Sequence, residues 1–517
     1  MEIHIPSFSA FLTFFIFLFM VSNIVWRTKS KKSNPKLPPG PWKLPIIGNM
    51  HHLHGILPHH ALRNLAMKYG PLMHLKLGEV SYIIVSSPEI AKEFLKTHDT
   101  NFANRPFLLA PKILTYDCTG ISFSPYGDYW RHLRKICSME LLSAKQVKSF
   151  RSIREEEVSN LIETIHSSEG SAINLSEKIY SLSCGITGRT AFGQKSRDQE
   201  AYQAVSNKIA VLAGGFYVAD MYPSIKMLEQ IGGLRHKLEK VHAEADRILE
   251  NILNDHKEKK IMKRTKSHEQ QANDNQEYLV DVFLKFQHHD QLDHPLTDSN
   301  IKAALLDIFT AGSDTSSTTV EWAMSEMVKN PRVMKEAQSE VRRVFRGKAN
   351  VDETEIHELK YLRSVIKETM RLHPPAPLLL PKECSQSCVI DGYDIPKKSK
   401  VIVNAWAIGR DPMHWTEADK FYPERFLEGG SVQIDYKGSD FEFIPFGAGR
   451  RICPGITFGM AVVELTLAQL LFHFDWKLPN HMRPEDLDMT EVFGLTVKRN
   501  ANLCLIPITY HPNLSVI

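Results

Sequence analysis

The chain has 517 residues, of which 43% are hydrophobic and 24% charged, and its 63 Lys and Arg against 59 Asp and Glu leave a net charge of +4. So balanced a charge argues against a nucleic-acid-binding protein, whose mark is a strongly basic patch. The seven cysteines are odd in number and scattered, which indicates free thiols in a reducing compartment rather than a disulfide framework.

The N-terminal segment predicts a membrane anchor. Residues 8–26, FSAFLTFFIFLFMVSNIVW, carry no charge and reach about 28 Å as a helix, close to the thickness of a bilayer core. Basic residues follow the segment rather than precede it, so the positive-inside rule places the rest of the chain in the cytosol. We expect a lumenal N-terminus at 1–7, a transmembrane anchor at 8–26, a basic and proline-rich linker at 27–41, and a globular domain at 42–517.

Helical patterns dominate the globular part. Strand candidates are few, the clearest being YIIVSS (82–87) and KVIVNAWAI (400–408). Apolar residues at a spacing of three and four predict amphipathic helices over 149–168 and 359–372. The almost wholly polar stretch 256–277 predicts a mobile surface loop. The expected fold class is therefore mainly α with a small β-sheet region.

Two groups of potential metal ligands lack a second ligand set nearby in the sequence. They are the histidines after the linker (His51, His52, His54, His59 and His60) and the pair Cys384 and Cys388. A metal site needs about four converging ligands. Ordinary loop histidines and unliganded cysteines are therefore the interpretation that the sequence favours.

The longest helical pattern contains residues 305–328 and is predicted to begin near Asp298 or Thr297. Its serine and threonine run weakens the helix, because hydroxyls in a helix often bond back to the preceding turn. The stretch AGSDT within it carries Asp314 and Thr315. A carboxylate and a hydroxyl in a locally opened helix can hold water and pass protons.

An E-x-x-R pattern occurs twice. Glu368 and Arg371 lie just before the prolines that end a predicted helix, and FYPERF (421–426) later brings Arg425. The second copy, Glu340 and Arg343, has no such sequel, and an exposed ion pair is the commoner meaning of an isolated copy.

The stretch FGAGRRICPG (446–455) combines three glycines, two arginines and one cysteine, just before an apolar helical run. A phosphate-binding G-x-G-x-x-G loop is excluded because Ile452 stands where the third glycine belongs. A nucleophilic cysteine would need a base that the sequence alone does not place. A metal-ligating thiolate fits best, since glycines let backbone N–H groups approach the sulfur and arginines favour the thiolate. Haem iron held by one thiolate is such a site.

Together, these motifs resemble the cytochrome P450 superfamily of haem-thiolate monooxygenases, specifically plant microsomal members of its seventy-one clan and their sesquiterpene and diterpene oxidase branch. The loop matches the family signature F-x-x-G-x-R-x-C-x-G at Phe446, Gly449, Arg451, Cys453 and Gly455. The resemblance implies the P450 fold and haem b, with Cys453 as the axial ligand. It also implies that Phe446 shields the sulfur and that Arg451 pairs with a haem propionate.

The same resemblance assigns roles to the other motifs. Glu368, Arg371 and Arg425 would form a buried cluster that supports the loop. Thr315 would hydrogen-bond iron-bound dioxygen, and Asp314 would deliver protons.

Two further motifs bear on the propionates. The pair Trp130 and Arg134 matches the W-x-x-x-R propionate donors of the family. The sequence departs from the family at PKE, where Lys382 replaces the usual arginine and cannot offer a planar fork to a propionate.

The resemblance also outlines a substrate pocket. It draws on five stretches: 102–123, 211–220, 305–312, 375–380 and 491–497. Their apolar residues suggest a cavity for a hydrocarbon-like ligand. The predicted lining residues are Leu305, Ile308, Phe309, Ala376, Leu378, Leu379, Phe493 and Leu495.

We therefore expect a single-pass protein of the endoplasmic reticulum membrane whose catalytic domain hydroxylates or epoxidises a small lipophilic plant metabolite, a terpenoid in the first place. The chain carries no complete dinucleotide fingerprint, so electrons would come from NADPH–cytochrome P450 reductase, with cytochrome b5 as a second donor. Membrane lipid and a lipophilic substrate complete the expected partners, and nucleic acid is not among them. Alkaloid or phenolic oxidation and a reductase-independent haem isomerase remain the alternatives.

Overall fold

A single long helix, Asp298–Lys329, runs through the centre of the protein. This computed structural model describes residues 35–193, 199–265, 277–287, 295–427, 429–430 and 433–511. The predicted anchor at 8–26 and most of the linker lie outside these residues. The predominance of helix over strand confirms the predicted fold class.

The α-helices of the described chain are numbered in order. They are α1 (Pro58–Tyr69), α2 (Pro88–Lys92), α3 (Leu109–Leu114), α4 (Asp128–Ile136), α5 (Ala144–Ser149), α6 (Arg151–His166), α7 (Leu175–Phe192), α8 (Gln199–Leu212), α9 (Val218–Met221), α10 (Leu234–Thr265), α11 (Leu279–Gln287), α12 (Asp298–Lys329), α13 (Pro331–Val344), α14 (Lys360–Leu372), α15 (Ala405–Ile408) and α16 (Ile456–His473). Short 3₁₀ or π turns also occur, at Met50–Leu53, Glu93–Thr97, Cys137–Leu141, Lys226–Glu229, Glu353–Glu358, Pro423–Phe426, Gly449–Arg451, Pro479–His481 and Pro484–Asp486.

The strands form small, separate sheets. They are β1 (Leu72–Leu77), β2 (Val80–Val85), β3 (Ile173–Asn174), β4 (Lys382–Glu383), β5 (Cys388–Ile390), β6 (Tyr393–Ile395), β7 (Lys400–Val403), β8 (Phe474–Lys477), β9 (Glu491–Phe493), β10 (Val497–Arg499) and β11 (Cys504–Thr509). The largest sheet has the order β1-β2-β7-β4, with β2 and β7 parallel and the other pairs antiparallel. A second sheet has the order β3-β11-β8, and β5-β6 and β9-β10 are antiparallel pairs.

The N-terminus of α12 confirms the predicted cap. The side chain of Thr297 accepts a hydrogen bond from the Asn300 N–H at 3.2 Å, and the Asn300 side chain accepts one from the Thr297 N–H at 3.0 Å. This reciprocal pair satisfies two donors that a helix end otherwise leaves open. From there α12 continues unbroken past Gly312, so its Ser and Thr run does not end it.

The main hydrophobic core surrounds α12, which packs against α7, α16, α14 and α13. Among the described residues, α16 is the one helix long and apolar enough to cross a membrane, and 61% of its apolar window is buried in protein. This helix is therefore part of the core.

Three sequence predictions need correction. The predicted strand 400–408 ends at Val403, because the Asn404 side chain caps the short helix α15 by accepting from the Ala407 N–H at 3.0 Å. The predicted helix 149–168 is α6, which begins at Arg151 and ends at His166. The polar stretch predicted as a loop from residue 256 is helical as far as Thr265, since it continues the long helix α10.

Candidate functional site

The cysteine loop is a tight turn that glycine makes possible. Gly447 and Gly449 have φ values of +70° and +71°, in the region that side chains rarely adopt. A Cβ on Gly449 would lie 2.1 Å from the Leu95 carbonyl oxygen, so no other residue fits there. The turn closes with a 3.0 Å hydrogen bond from the Cys453 N–H to the Phe446 carbonyl. Three residues after the cysteine, α16 begins at Ile456.

The Cys453 sulfur faces a deep cavity that lies along α12. Burial raises the pKa of the Cys453 thiol, while a hydrogen bond from the Gly455 N–H and the positive charge of Arg134 act in the opposite direction. Both effects that the sequence predicted for this thiol are thus present, but burial outweighs them. A bound cation in place of the proton is what such a sulfur lacks.

Four cationic side chains line the same cavity: Arg105, Arg134, Lys382 and Arg451. Within the described chain none of them forms an ion pair with a carboxylate within 4.0 Å. Burial lowers their pKa values, to about 7 for Lys382, about 10 for Arg105 and about 8 for Arg451. So much buried positive charge without a matching anion is costly.

Lys382 shows the imbalance most clearly. Its side chain is 5% exposed, and its Nζ has no hydrogen-bond partner among the described residues. A haem brings two propionate carboxylates and an iron that takes a thiolate. The residues present therefore fit haem, with Cys453 for the iron and the buried cations for the carboxylates.

The structure revises two of the predicted propionate contacts. The Trp130 indole N–H donates to the Ile121 carbonyl at 3.0 Å, so its one donor is already used. Arg451 lies 4.0 Å over the Trp130 ring and donates to the carbonyls of Ala103, Ile121 and Ser124. Arg451 thus braces the segment before α4 while its charge remains beside the cavity.

Sequence analysis missed Arg105. Its guanidinium is 6% exposed and donates to the carbonyls of Ser122, Leu380 and Pro381, which joins two walls of the cavity. The available signal was an arginine inside the otherwise uncharged stretch NFANRPFLLAP (101–111).

The structure brings the E-x-x-R pair and Arg425 together as predicted. Arg371 forms a fork on Glu368, with Nε to Oε2 at 2.7 Å and Nη2 to Oε1 at 2.8 Å, and Arg425 Nε donates to Oε1 at 3.1 Å. All three side chains are at most 2% exposed. One buried carboxylate therefore holds two arginines.

The arginines connect this cluster to the segment that leads to the cysteine loop. Arg371 also donates to the carbonyls of Gly409, Ala418 and Lys420, and Arg425 donates to that of Thr416. The cluster therefore fixes the backbone between α15 and Arg425.

The second E-x-x-R copy does not form the ion pair that its sequence suggested. The two carboxylate oxygens of Glu340 accept from the backbone N–H groups of Tyr361 and Leu362 at 2.8 and 2.9 Å. Glu340 therefore caps the N-terminus of α14.

On α12, the structure places Asp314 and Thr315 beside the cavity but gives them different partners. Thr315 Oγ1 donates to the Ala311 carbonyl at 2.8 Å. The Asp314 carboxylate, on a residue only 1% exposed, accepts from Thr496 Oγ1 and pairs with Lys498 Nζ. The hairpin β9–β10 thus anchors the acid that sequence analysis selected, and neither hairpin residue was predicted.

The predicted pocket is right at the level of segments and half right at the level of residues. All five predicted stretches contribute to the cavity lining. Four predicted side chains line it, namely Ile308, Ala376, Leu379 and Leu495, and four do not, namely Leu305, Phe309, Leu378 and Phe493.

The four misplaced residues have identifiable positions. Leu305 and Phe309 are one helical turn apart on a different face of α12, where Phe309 packs on Tyr202 at 4.3 Å. Leu378 packs in the cluster beneath the largest sheet, and Phe493 packs at its edge.

Asp307 is a further cavity residue that sequence analysis missed. Its Oδ2 accepts from the Ser122 N–H at 2.9 Å, and burial raises the pKa of its carboxyl to about 6. A Cβ on Gly120 would lie 2.3 Å from the same oxygen, so the loop approaches α12 closely because residue 120 is glycine. An acidic residue two turns before Asp314 in an apolar helix was the available signal.

Replacing Glu368 by Gln should unfold the support of the cysteine loop. The substitution leaves Arg371 and Arg425 buried without a counter-charge, which costs about 3–5 kcal/mol. We expect haem incorporation to fall to background, measured as haem absorbance per chain. Glu417→Gln, at an exposed side chain in the same region, is the control and should keep full haem. Normal haem content in the Glu368→Gln protein would contradict this role.

Lys382 should make the haem-free protein more stable as the pH rises. Its pKa is about 7 when folded against an ordinary 10.5, so between these values the unfolded chain binds more protons and stability increases with pH. Lys382→Met removes this contribution, and its stability advantage over the unaltered haem-free protein should shrink from pH 7 to pH 10. Urea titrations across this range measure the difference; an advantage independent of pH would show that Lys382 is not buried as a charge.

Comparison with known proteins agrees with this geometry. The family model described as Cytochrome P450 matches residues 38–505. Desmethyl-deoxy-podophyllotoxin synthase of Sinopodophyllum hexandrum is 56% identical over 98% of this chain and 97% of its own. Tabersonine 16-hydroxylase 2 of Catharanthus roseus is 55% identical over 99% of this chain and 98% of its own. Premnaspirodiene oxygenase of Hyoscyamus muticus is 50% identical over 98% and 99%.

A zebrafish cytochrome P450 solved with progesterone has a TM-score of 0.75 at 23% identity, covering 88% of this chain and all of its own. That likeness shows the fold. The family match and the relatives show more: this chain belongs to the cytochrome P450 family, and it is a monooxygenase that uses haem b with a cysteine thiolate ligand and receives electrons from a reductase.

Proposed function

We propose that this protein is a membrane-anchored monooxygenase that hydroxylates or epoxidises a small lipophilic plant metabolite, a terpenoid in the first place. The observation that supports this most is the cavity itself, a predominantly apolar space with the Cys453 sulfur and a group of buried cations at one side. Residues 8–26 would anchor the chain in the endoplasmic reticulum membrane, with 42–517 as the catalytic domain in the cytosol. Reductase, and cytochrome b5 as a second donor, would supply the electrons from NADPH.

We assign the haem contacts by chemistry. Cys453 would provide the axial thiolate, and Phe446 and Gly455 would enclose it. Lys382, Arg105, Arg134 and Arg451 would offset the propionate charge. Haem, when bound, supplies the activation of molecular oxygen.

The protein's own contribution to the reaction is proton handling. Asp314 holds its carboxylate between Thr496 and Lys498, and the Lys498 side chain is 27% exposed. This gives a path from solvent through the Lys498 ammonium to the buried Asp314 oxygen. Thr315, the next residue, carries the hydroxyl that would orient the oxygen ligand.

Replacing Lys498 by Met should slow turnover without removing haem. The Asp314 carboxylate would then be buried with Thr496 alone, which favours its protonated form and impedes proton passage. We expect a fall in kcat of about tenfold or more, part of the 10²- to 10⁴-fold that general acid–base catalysis supplies, and a larger solvent deuterium isotope effect. Lys477→Met, at an exposed residue of β8, should change neither. An unaltered isotope effect in Lys498→Met would place proton delivery elsewhere.

The terpenoid proposal rests on the cavity wall. Side chains without polar atoms face it from α12, the segment after α14 and the β9–β10 turn, among them Ile308, Ala376, Leu379 and Leu495. Such a wall binds a hydrocarbon skeleton by burial and makes few directional demands. One similar protein is named for premnaspirodiene.

A substrate with a basic nitrogen is the second candidate, because Asp307 places a buried carboxyl in the same wall. A protonated amine would pair with it and favour the ionised form. Two similar proteins are named for tabersonine.

A substrate panel separates the two candidates. We expect the full-length protein, reconstituted with a plant reductase, to insert one atom of ¹⁸O₂ into neutral sesquiterpenes or diterpenes, with Asp307→Asn retaining this activity. Exclusive oxidation of amine substrates, lost about 10-fold or more in Asp307→Asn, would favour the alkaloid candidate. Product formation without NADPH and without ¹⁸O would indicate an isomerase and overturn the proposal.

A further inference from the structure

A cluster of histidines and carboxylates lies outside the haem cavity, where three distant parts of the chain meet. His59 and His60 open α1, Glu491 begins β9, and His373 follows α14 directly. The sequence gave no reason to connect them, because 432 positions separate His59 from Glu491. The fold provides the second ligand set that the histidine-rich segment lacked.

Three donor atoms converge in this cluster. Glu491 Oε2 lies 2.9 Å from His59 Nε2 and 3.1 Å from His60 Nε2. All three ligand atoms lie within 4.8 Å of one another. Tetrahedral zinc with bonds of about 2.0–2.2 Å to His nitrogen and carboxylate oxygen requires neighbouring donors about 3.3–3.5 Å apart. Shifts of a few tenths of an ångström would therefore fit these donors around one ion.

Hydrogen bonding does not account for all of these atoms. The His59 Nε2 contact is a hydrogen bond, whereas His60 Nε2 is buried at the same oxygen without hydrogen-bond geometry to any described residue. His373 Nδ1 is likewise buried and without a hydrogen bond, 3.8 Å from Glu491 Oε1. Two buried ring nitrogens thus face one carboxylate with unused ligand capacity.

The fourth histidine already has the support that metal-ligating histidines have. His373 Nε2 donates to Glu326 Oε1 at 2.7 Å, which leaves Nδ1 as the available lone pair. Its ring also stacks on Trp322 at 4.0 Å with the planes 5° apart. Carboxylate, histidine and open position therefore follow the order of a carboxylate–histidine–zinc triad.

The remaining ligands are also held in place. His59 is fully buried, and its carbonyl accepts from the Asn404 side chain at 2.8 Å. The Trp406 ring packs against both His59 and His60, at 5.1 and 4.3 Å. The side chain of His60 is 38% exposed, which gives an ion access from solvent. The carboxylates of Glu491 and Glu326 would offset the two charges of the ion.

We propose that His59, His60 and Glu491 bind a structural zinc ion, with His373, oriented by Glu326, as the fourth ligand. Nitrogen and carboxylate oxygen in a closed set of four is the donor chemistry of zinc. The ion would join α1, the end of α14 and strand β9.

The position of the site gives zinc a function in this protein. Glu491 belongs to the hairpin whose turn brings Leu495 and Thr496 to the cavity and whose second strand carries Lys498. Fixing Glu491 would fix the hairpin, and with it one cavity wall and the partners of Asp314. The site is thus peripheral to the haem but linked to it through six residues of chain.

The test is metal binding by the full-length haem protein in detergent. The protein is treated with a chelator, dialysed, given ZnCl₂, and separated from free metal, and bound zinc is counted by mass spectrometry and its affinity measured against a zinc indicator. We expect one zinc per chain and N/O coordination with imidazole scattering at the zinc absorption edge, which iron does not obscure. His60→Ala, at the exposed edge of the site, should weaken binding about 100-fold, and Glu326→Gln about 10- to 100-fold.

The matched control is His52→Ala. His51 and His52 also carry buried ring nitrogens without a hydrogen bond, and their rings lie 3.9 Å apart, so they are the competing site. Zinc retained by His52→Ala and lost by His60→Ala supports the proposal. Loss in His52→Ala alone, equal binding in both variants, or no bound zinc in the unaltered protein overturns it. The carbon monoxide spectrum of each variant shows that the haem domain is folded, so the result does not depend on catalytic activity.

Discussion

The structure depends on one imbalance of charge: four buried cations line a cavity that contains no described carboxylate close enough to pair with them. Lys382, with a pKa lowered to about 7 by burial, expresses the cost most directly. A dianionic ligand with a metal for Cys453 removes this cost. Haem binding and the stability of the folded domain are therefore one problem, since the site is unfavourable in charge until its cofactor is in place.

The cluster at Glu368 solves a related problem by different means. There a single buried carboxylate holds Arg371 and Arg425, and backbone carbonyls accept the remaining guanidinium donors. Because these contacts need no external ligand, the segment before the cysteine loop is fixed by the protein alone. The loop itself then needs only its glycines and one hydrogen bond to bring the sulfur to the cavity.

Sequence reasoning succeeded where a motif is local and failed where a side chain's direction decides. The cysteine loop, the cap at Thr297 and the E-x-x-R pair were predictable because their partners lie in short patterns or follow fixed spacing. Leu305 and Phe309 were assigned to the pocket because they are apolar and in the right segment, but the phase of α12 turns them to another face. Arg105, Asp307 and Lys498 were missed because their roles depend on partners far away in sequence. Trp130 shows the same limit, since its donor is taken by a carbonyl that no pattern identifies.

The hairpin β9–β10 connects the parts of this account. Its first strand carries Glu491 in the histidine cluster, its turn contributes Leu495 to the cavity, and its second strand carries Lys498 to Asp314. A short element thus links a peripheral site, a substrate wall and a proton path.

The central claim is that Cys453 and the buried cations hold haem through a thiolate. The most direct measurement is the absorption spectrum of the reduced protein with carbon monoxide, recorded for the unaltered chain and for Cys453→Ser. The account predicts the band of a thiolate-ligated complex in the unaltered protein and its absence in the variant. The same band in both proteins would contradict it, because another residue would then be the ligand.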